Sequence, residues 1–226
     1  MTFIQPRTLD ALPHPFFIVT EGIGDARFTD ELLRFKKITN CSIGCPTQES
    51  AQGMGKEAFP KYFSAIQSAR SRAKSVSLRG LLVIADANGN ADHSFDAIAA
   101  ALHTAIFPVP NGPFEVNIAG GFKIAVYLVP GEGETGTLEH LLLKAVFQKT
   151  PGLEKCVDDF SACTGGLKSA KPNAQAKMRM SALAATFCAD NPWCSLANMW
   201  SDANNPVPIS SSHFEHLSSF VQDFAV

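Results

Sequence analysis

Three short apolar runs, each followed by acidic residues, constrain the fold of this 226-residue chain most. All three have the length and the aliphatic or aromatic content of buried β-strands. Segments with apolar positions at helical spacing lie between them. The resulting order, β-α-β-α-β-α, predicts an α/β fold with a mainly parallel central sheet and helices on both faces. The three runs are residues 16–19, 81–84 and 124–129, and the first predicts a strand over residues 16–20.

Weaker signals complete the predicted order of elements. Residues 40–45 form a weak second strand, and residues 114–118 and 122–129 suggest a hairpin through two adjacent glycines. Ser94 is placed to cap a helix that runs to Thr104. The other strand and helices are predicted at residues 76–85, 24–36, 56–72 and 137–148.

The chain changes character after residue 150. Residues 151–226 carry helical stretches near 153–162, 175–187 and 213–224, separated by loops rich in Pro, Asn and Ser, with no convincing strand. We therefore predict an α/β domain over residues 1–150 and a helical C-terminal extension over residues 151–226 that packs on it.

Composition narrows the class of protein. A hydrophobic fraction of 46% and a charged fraction of 18% suit a soluble globular protein, and a net charge of −2 gives no global attraction to polyanions. No stretch is long and apolar enough for a membrane span, and no secretory core opens the chain. Six cysteines without a Cys-x-x-Cys pair favour free buried thiols over disulfides or zinc. These features predict a cytoplasmic protein that makes no membrane contact.

The first acidic group follows the first strand. Glu21-Gly22 suits a metal ligand or a general acid/base, because Gly22 permits a sharp turn and a close approach to the backbone. If a helix begins at once, Asp25 faces the same point as Glu21, beside the positive end of the helix dipole. The alternative is that both acids only stabilise this helix terminus.

The second and third acidic groups follow the later strands. In extended geometry Asp86 and Asn88 share a face, as the two ligands of an Asp-x-Asp pair do, although the neutral Asn88 holds a divalent ion less tightly. Asn88 is equally typical of a turn. Glu139 lies at the start of the helix after the third strand, where it either points back into the crevice or only favours the helix start.

Strand ends in an open α/β sheet converge on one crevice, and carboxylates gathered there repel one another unless a proton or a cation joins them. Oxygen ligands of this kind predict Mg²⁺ or Mn²⁺. The predicted metal ligands are Glu21, Asp25, Asp86, Asn88 and Glu139.

A competing motif lies in residues 131–136, which spell Gly-x-Gly-x-x-Gly between a strand and a helix, the context of a dinucleotide-binding fingerprint. Glu132 and Glu134 argue against it, since a like charge ~5 Å from a pyrophosphate costs ~3 kcal/mol at an effective dielectric near 20. The acid expected about 20 residues later is also missing.

Two basic clusters are placed to contact phosphates or to lie solvated on the surface. They comprise Arg70, Arg72, Lys74 and Arg79, and Lys168, Lys171, Lys177 and Arg179. His213 and His216 have a spacing that can bind metal, but a surface helix is the commoner explanation.

The ordered segments Val-Thr-Glu-Gly-x-x-Asp, Leu-Val-Ile-Ala-Asp-Ala-Asn and Gly-Thr-Leu-Glu-His-Leu-Leu resemble the Toprim superfamily, which includes topoisomerase and primase catalytic domains and the OLD-type nucleases. The likeness is greatest to a stand-alone bacterial and archaeal Toprim-like family of uncharacterised function. The segments begin at Val19, Leu82 and Gly136, and the resemblance spans residues 16–190.

This resemblance implies Mg²⁺-dependent cleavage of phosphodiesters, as in a nuclease of defence or repair that acts on nucleic acid or nucleotide phosphates. Glu21 matches the family's first acid, Asp86 the first Asp of its Asp-x-Asp, and Glu139 the Leu-Glu acid. Lys177 resembles a late lysine that steadies charge on a phosphate. Asn88 departs from the pattern, because the family has a second Asp there.

Two other functions stay open from the sequence. Because of Asn88 and the near-neutral charge, the chain is alternatively a non-catalytic module that binds nucleic acid or nucleotides, or a protein that acts with a protein partner or as a homo-oligomer. A weaker alternative is a nucleotide-binding enzyme that uses the loop at residues 131–136.

Overall fold

The computed structural model describes residues 13–72, 78–165, 170–188, 191 and 193–226. Its centre is a five-stranded sheet of order β2-β1-β3-β5-β4. β4 pairs antiparallel with β5, and the other pairings are parallel. This sheet confirms the predicted α/β class and the hairpin at its edge. The strands are β1 (Phe16–Thr20), β2 (Cys41–Gly44), β3 (Gly80–Asp86), β4 (Val116–Ala119) and β5 (Phe122–Val129).

Helices cover both faces of the sheet. Alternate residues of β1 enter two separate apolar clusters: Phe16 and Ile18 pack with residues of α1, α5, α7 and α8, whereas Phe17 and Val19 pack with α3 and α4. Because both faces are buried, the central strands are apolar at every position rather than at every second one. The α-helices are α1 (Ile23–Phe35), α2 (Gln48–Ala51), α3 (Phe59–Arg72), α4 (Ala91–Thr104), α5 (Leu138–Lys149), α6 (Gly152–Thr164), α7 (Pro172–Phe187) and α8 (Glu215–Phe224).

The C-terminal helices join the core of the sheet. Val157 of α6, Leu183 of α7 and Val221 of α8 belong to the same buried cluster as Phe16 and Ile18. The part of residues 151–226 that the structure describes contains no strand. The division into two parts at residue 150 stays a prediction.

Several local expectations change. Asn90, not Ser94, caps α4, because its side chain accepts a hydrogen bond from the His93 amide at 2.9 Å. Ser94 lies buried inside the helix, where its hydroxyl donates to the Ala87 carbonyl at 2.9 Å. The helix expected at residues 56–72 begins as a 3-10 turn, Lys56–Ala58, before α3. Of the strand expected at residues 76–85, residues 76–77 lie outside the described part of the chain.

The cysteines are free thiols, but the expectation that they are all buried is wrong. Cys41, Cys45 and Cys188 are buried, whereas Cys156 and Cys163 are exposed on α6. Among the helices of the described residues, none combines the length and the apolar character needed to cross a membrane.

Candidate functional site

The candidate site lies at the carboxyl ends of β1 and β3. The chain leaving β1 returns in β2 on one side, whereas the chain leaving β3 continues to β4 and β5 on the other. Such a change of direction opens a crevice beyond the strand ends, where ligands of α/β proteins bind. Glu21 directly follows β1, and Asp86 ends β3. The topology therefore brings the first two predicted acids to the same crevice.

Glu21 is held by hydrogen bonds. Its Oε1 accepts from the backbone amide of Asp86 at 2.6 Å and lies 3.1 Å from Nζ of Lys56. Lys56 also donates to the Asp86 carbonyl and, at 3.1 Å, to the hydroxyl of Ser94. One carboxylate oxygen thus bridges the ends of both strands and a partly buried lysine.

Asp25 lies in the first turn of α1, which begins at Ile23 with Gly22 as its N-cap. A Cβ at Gly22 would lie 3.3 Å from Oδ2 of Asp25, so the glycine leaves room for this carboxylate. Burial raises the pKa of Asp25 to about 7, helped by the charges of Glu21 and Glu139. The helix start thus brings Asp25 and Glu21 close enough to interact, as predicted.

Asp86 is the most perturbed acid of the crevice. Its Oδ1 accepts a hydrogen bond from the Leu138 amide, at the N-terminus of α5, at 2.9 Å. Burial raises the pKa of Asp86 to about 8, and the charges of Asp25, Glu21 and Glu139 act in the same direction. The hydrogen bond from Leu138 favours the ionised form but does not outweigh these effects.

Glu139 and Lys177 close the crevice on the side of α5 and α7. The Thr137 hydroxyl donates to Oε2 of Glu139 at 2.6 Å. Both Glu139 and Lys177 line a cavity of about 180 Å³ between α5, α7 and the following loop. The positive charge of Lys177 partly opposes the rise in the pKa of Asp25. The structure therefore brings all the predicted acids and the late lysine to one region.

The geometry expected for Asn88 is wrong. The chain does not continue extended through this residue, because Asn88 has φ of 55° and forms a two-residue bridge with Gly136. Its Oδ1 accepts from Nδ2 of Asn173 on α7 at 3.1 Å. The side-chain carbonyl expected to face a cation together with Asp86 is thus used to tie the β3 loop to α7. Its role as a metal ligand stays a prediction.

Other predicted groups lie in ordinary surroundings. Glu132 and Glu134 are exposed, and Glu134 pairs with Lys144. Nδ1 of His216 shares a hydrogen bond with the Tyr127 hydroxyl at 2.8 Å.

The basic clusters also have local partners. Arg70 lies over the ring of Phe122 at 4.2 Å, and Arg179 pairs with Asp158 at 2.7 Å. Lys74 and Lys168 lie outside the described residues, and so does the side chain of Arg72.

Sequence reasoning missed Lys56, Ser94, Thr137 and Asn173. Lys56 follows Gly55, which has φ of 70°. A lysine just after a Gly-x-Gly turn, between two strands that end in acids, is the signal that points to it. Ser94 was assigned to the helix cap, and Asn173 carries no local signal.

The donors suit a divalent cation in kind, because carboxylate oxygens are the ligands that Mg²⁺ and Mn²⁺ prefer. Within the residues that the structure describes, however, no three His, Cys, Asp or Glu side chains are already grouped as metal ligands. The carboxylates interact with one another through their charges.

The chain matches no protein-family model, no curated protein and no solved structure. Assignment of a function therefore depends on the chemistry of these side chains.

Proposed function

We propose that the chain is a Mg²⁺- or Mn²⁺-dependent enzyme that cleaves phosphodiesters, with nucleic acid as substrate, in defence or repair. The observation that carries this proposal is the group of four carboxylates at the switch point of the sheet, two of which have a pKa raised to about 7 and about 8. Carboxylates that are buried close together, with too little positive charge around them, favour the binding of a cation.

Two lysines supply part of the positive charge that these carboxylates favour. Lys56 pairs with Glu21, and Lys177 acts on Asp25 from the exposed face of α7. In the described part of the chain, these two lysines face four carboxylates. A divalent cation would satisfy the remaining charge, with Asp25, Asp86 and Glu139 as the oxygen donors.

When bound, the cation would supply charge stabilisation to the phosphate oxygens and would activate water. The chain itself contributes a carboxylate held at the end of β1 by Lys56 and the Asp86 amide, suited to accept a proton from the attacking water. Lys177, exposed beside the cavity, would contact a phosphate oxygen in this proposal.

A cleavage assay tests the proposal. Plasmid DNA and RNA are incubated with the protein in Mg²⁺ or Mn²⁺, and Glu21→Gln and Asp86→Asn are compared with the wild type. Both substitutions should lower the cleavage rate at least ~100-fold, the loss of about 2.7 kcal/mol of transition-state stabilisation. Glu134→Gln, an exposed acid of the β5 loop, serves as the matched control and should leave the rate unchanged. Cleavage that survives both site substitutions would refute the assignment.

A specific observation favours a second candidate, a non-catalytic module that binds nucleic acid or nucleotides. The Asn88 carbonyl is engaged by Asn173, and Lys56 already neutralises Glu21, so the crevice has internal substitutes for part of a metal's role. A thermal scan separates the two candidates. Metal at 100 times its Kd stabilises the fold by ~2.7 kcal/mol, and a melting temperature that does not respond to Mn²⁺ would favour the binding module.

The location and the assembly of the protein also remain proposals. We place it in the cytoplasm, where the free thiols of all six cysteines would persist in reduced form. Action with a protein partner or as a homo-oligomer is proposed on the sequence grounds given above.

A further inference from the structure

Lys56 is the most completely bonded charged group of the candidate site. Its ammonium has three oxygen partners: Oε1 of Glu21 at 3.1 Å, the hydroxyl of Ser94 at 3.1 Å and the backbone carbonyl of Asp86. An ammonium carries three N–H donors, so each donor has one acceptor. The side chain is only 18% exposed. Lys56 is thus partly buried, and its three donors are already used by protein oxygen atoms.

The partners of Lys56 are themselves fixed. Oε1 of Glu21 also accepts from the Asp86 amide at 2.6 Å, and the Ser94 hydroxyl donates to the Ala87 carbonyl at 2.9 Å. The ammonium therefore ties together the end of β1, the end of β3 and the first turns of α4. Removing it would take away the positive charge beside Glu21 and leave this carboxylate held by the Asp86 amide alone.

The acids of the site differ in whether a positive charge lies beside them. Glu21 has a unit positive charge at hydrogen-bond distance, whereas Asp86 and Glu139 accept from neutral donors, the Leu138 amide at 2.9 Å and the Thr137 hydroxyl at 2.6 Å. The demand for a further cation is concentrated on the side of Asp25, Asp86 and Glu139.

We propose that Lys56 is a positioning residue and the resident cation of this site. It fixes Glu21 as an acid/base carboxylate and keeps it from serving as an ion ligand, so that a divalent cation binds between Asp25, Asp86 and Glu139. The assignment of the ion to that side rests on the proposed function, whereas the positioning of Glu21 does not.

A charge-balanced pair of substitutions tests this assignment by Mn²⁺ titration calorimetry. Lys56→Met should tighten Mn²⁺ binding about tenfold, because it removes a positive charge from the same crevice and frees Glu21. The double variant Lys56→Met/Glu21→Gln removes one charge of each sign and should bind Mn²⁺ within about threefold of the wild type. Lys56→Arg keeps the charge and should also stay near the wild type.

Either of two calorimetry results would overturn the proposal. If Glu21 is an ion ligand, the double variant loses affinity for Mn²⁺ by tenfold or more, and the proposal is overturned. A Lys56→Met variant that binds Mn²⁺ no more tightly than the wild type would also overturn it.

A second arm in EDTA separates this inference from the proposed function. Melting temperatures of the wild type, Lys56→Met, Glu21→Gln and the double variant form a cycle without metal. We expect the double variant to be less destabilised than the sum of the single changes, because each single change leaves a partly buried charge without its counter-charge. Additive changes would overturn the positioning of Glu21 by Lys56. A wild type that binds no Mn²⁺ would overturn the proposed function and the assignment of the ion, while this cycle would still decide the positioning.

Discussion

Acidic residues follow both the central strands and the strand beside the sheet edge, but their surroundings differ. Glu21 and Asp86, after β1 and β3, are partly buried in the crevice, and burial with mutual repulsion raises the pKa of Asp86 to about 8. Glu132 and Glu134, after β5, are exposed, and Glu134 pairs with Lys144 on the surface. The sequence presents both groups in the same way, as acids and glycines after an apolar strand.

The comparison shows that the demand for a cation comes from position in the sheet. At the switch point, Asp25, Asp86 and Glu139 are close enough to act on one another through their charges, and burial strengthens this repulsion. In the β5 loop, the acids point into solvent, where water and a single lysine satisfy them at little cost. Substitutions in the two regions should therefore have very different effects.

The largest contrast is expected from Asp86→Asn. This change removes the charge but keeps a side-chain oxygen that can accept from the Leu138 amide, so the fold should persist. The rise in melting temperature on adding Mn²⁺ should be abolished, because a ligand is lost. Differential scanning fluorimetry with and without Mn²⁺ measures it, with Glu134→Gln as the matched control. An equal response of both variants to Mn²⁺ would contradict the contrast between the two regions.

Asn88→Asp should increase the contrast between the two regions, because it adds a further negative charge beside the crevice. Asp tolerates the left-handed backbone conformation that Asn88 adopts, with φ of 55°, and still offers Asn173 an acceptor. Mn²⁺ affinity should rise on the order of tenfold from the added negative charge. Titration calorimetry measures the change. Unchanged affinity would mean that residue 88 lies too far from the ion to contribute.

The next largest difference between the crevice and the β5 loop should be in how their acids make stability depend on pH. Asp25 and Asp86 have an ordinary pKa of 3.8, and the fold raises these values to about 7 and about 8. The folded state then binds more protons than the unfolded state between these limits. The contribution to stability is therefore complete below about pH 4 and is lost as the pH rises toward 8.

In EDTA, the melting temperature should fall by several degrees from about pH 5.5 to about pH 8.5, since ~1 kcal/mol corresponds to ~2–4 °C for a chain of this size. Asp25→Asn combined with Asp86→Asn should flatten this slope, whereas Glu134→Gln should retain it. A slope that persists in the double variant would assign the effect to other groups.

The smallest effect is expected in the β5 loop. Lys144→Met breaks the pair with Glu134, whose two side chains are 43% and 45% exposed. Exposed pairs contribute about 0–1 kcal/mol, so the unfolding free energy in urea should change by less than about 1 kcal/mol. A loss well above that value would show that this loop is structurally coupled to the crevice.

Much of the fold was predictable because its signals are local. Strand β1 was predicted with its observed bounds, and the hairpin of β4 and β5 follows from two adjacent glycines, Gly120 and Gly121, that adopt positive φ. Helix starts were less predictable. Ser94 and Asn90 are both good capping residues, and the short loop after β3 decides in favour of Asn90.

The site was predictable only in part. Glu21, Asp25, Asp86 and Glu139 were found because acids after apolar strands form a local pattern. Their partners come from distant segments.

Lys56 pairs with Glu21, and the side-chain amide of Asn173 donates to Asn88. The pattern of acids after apolar strands does not connect Lys56 or Asn173 with these residues. The extended geometry expected for Asn88 failed because the bridge to Gly136 turns the chain there.

The sequence by itself determined the parallel α/β sheet and the acids at its strand ends. Both follow from contiguous residues: apolar runs typical of strands alternate with segments whose apolar positions have helical spacing, and the acids come directly after the runs. Only the tertiary structure decided which acids share a crevice, which one has a lysine and which remain with raised pKa values. These properties depend on burial and on charges a few ångströms apart, and both are set by segments that are far apart along the chain.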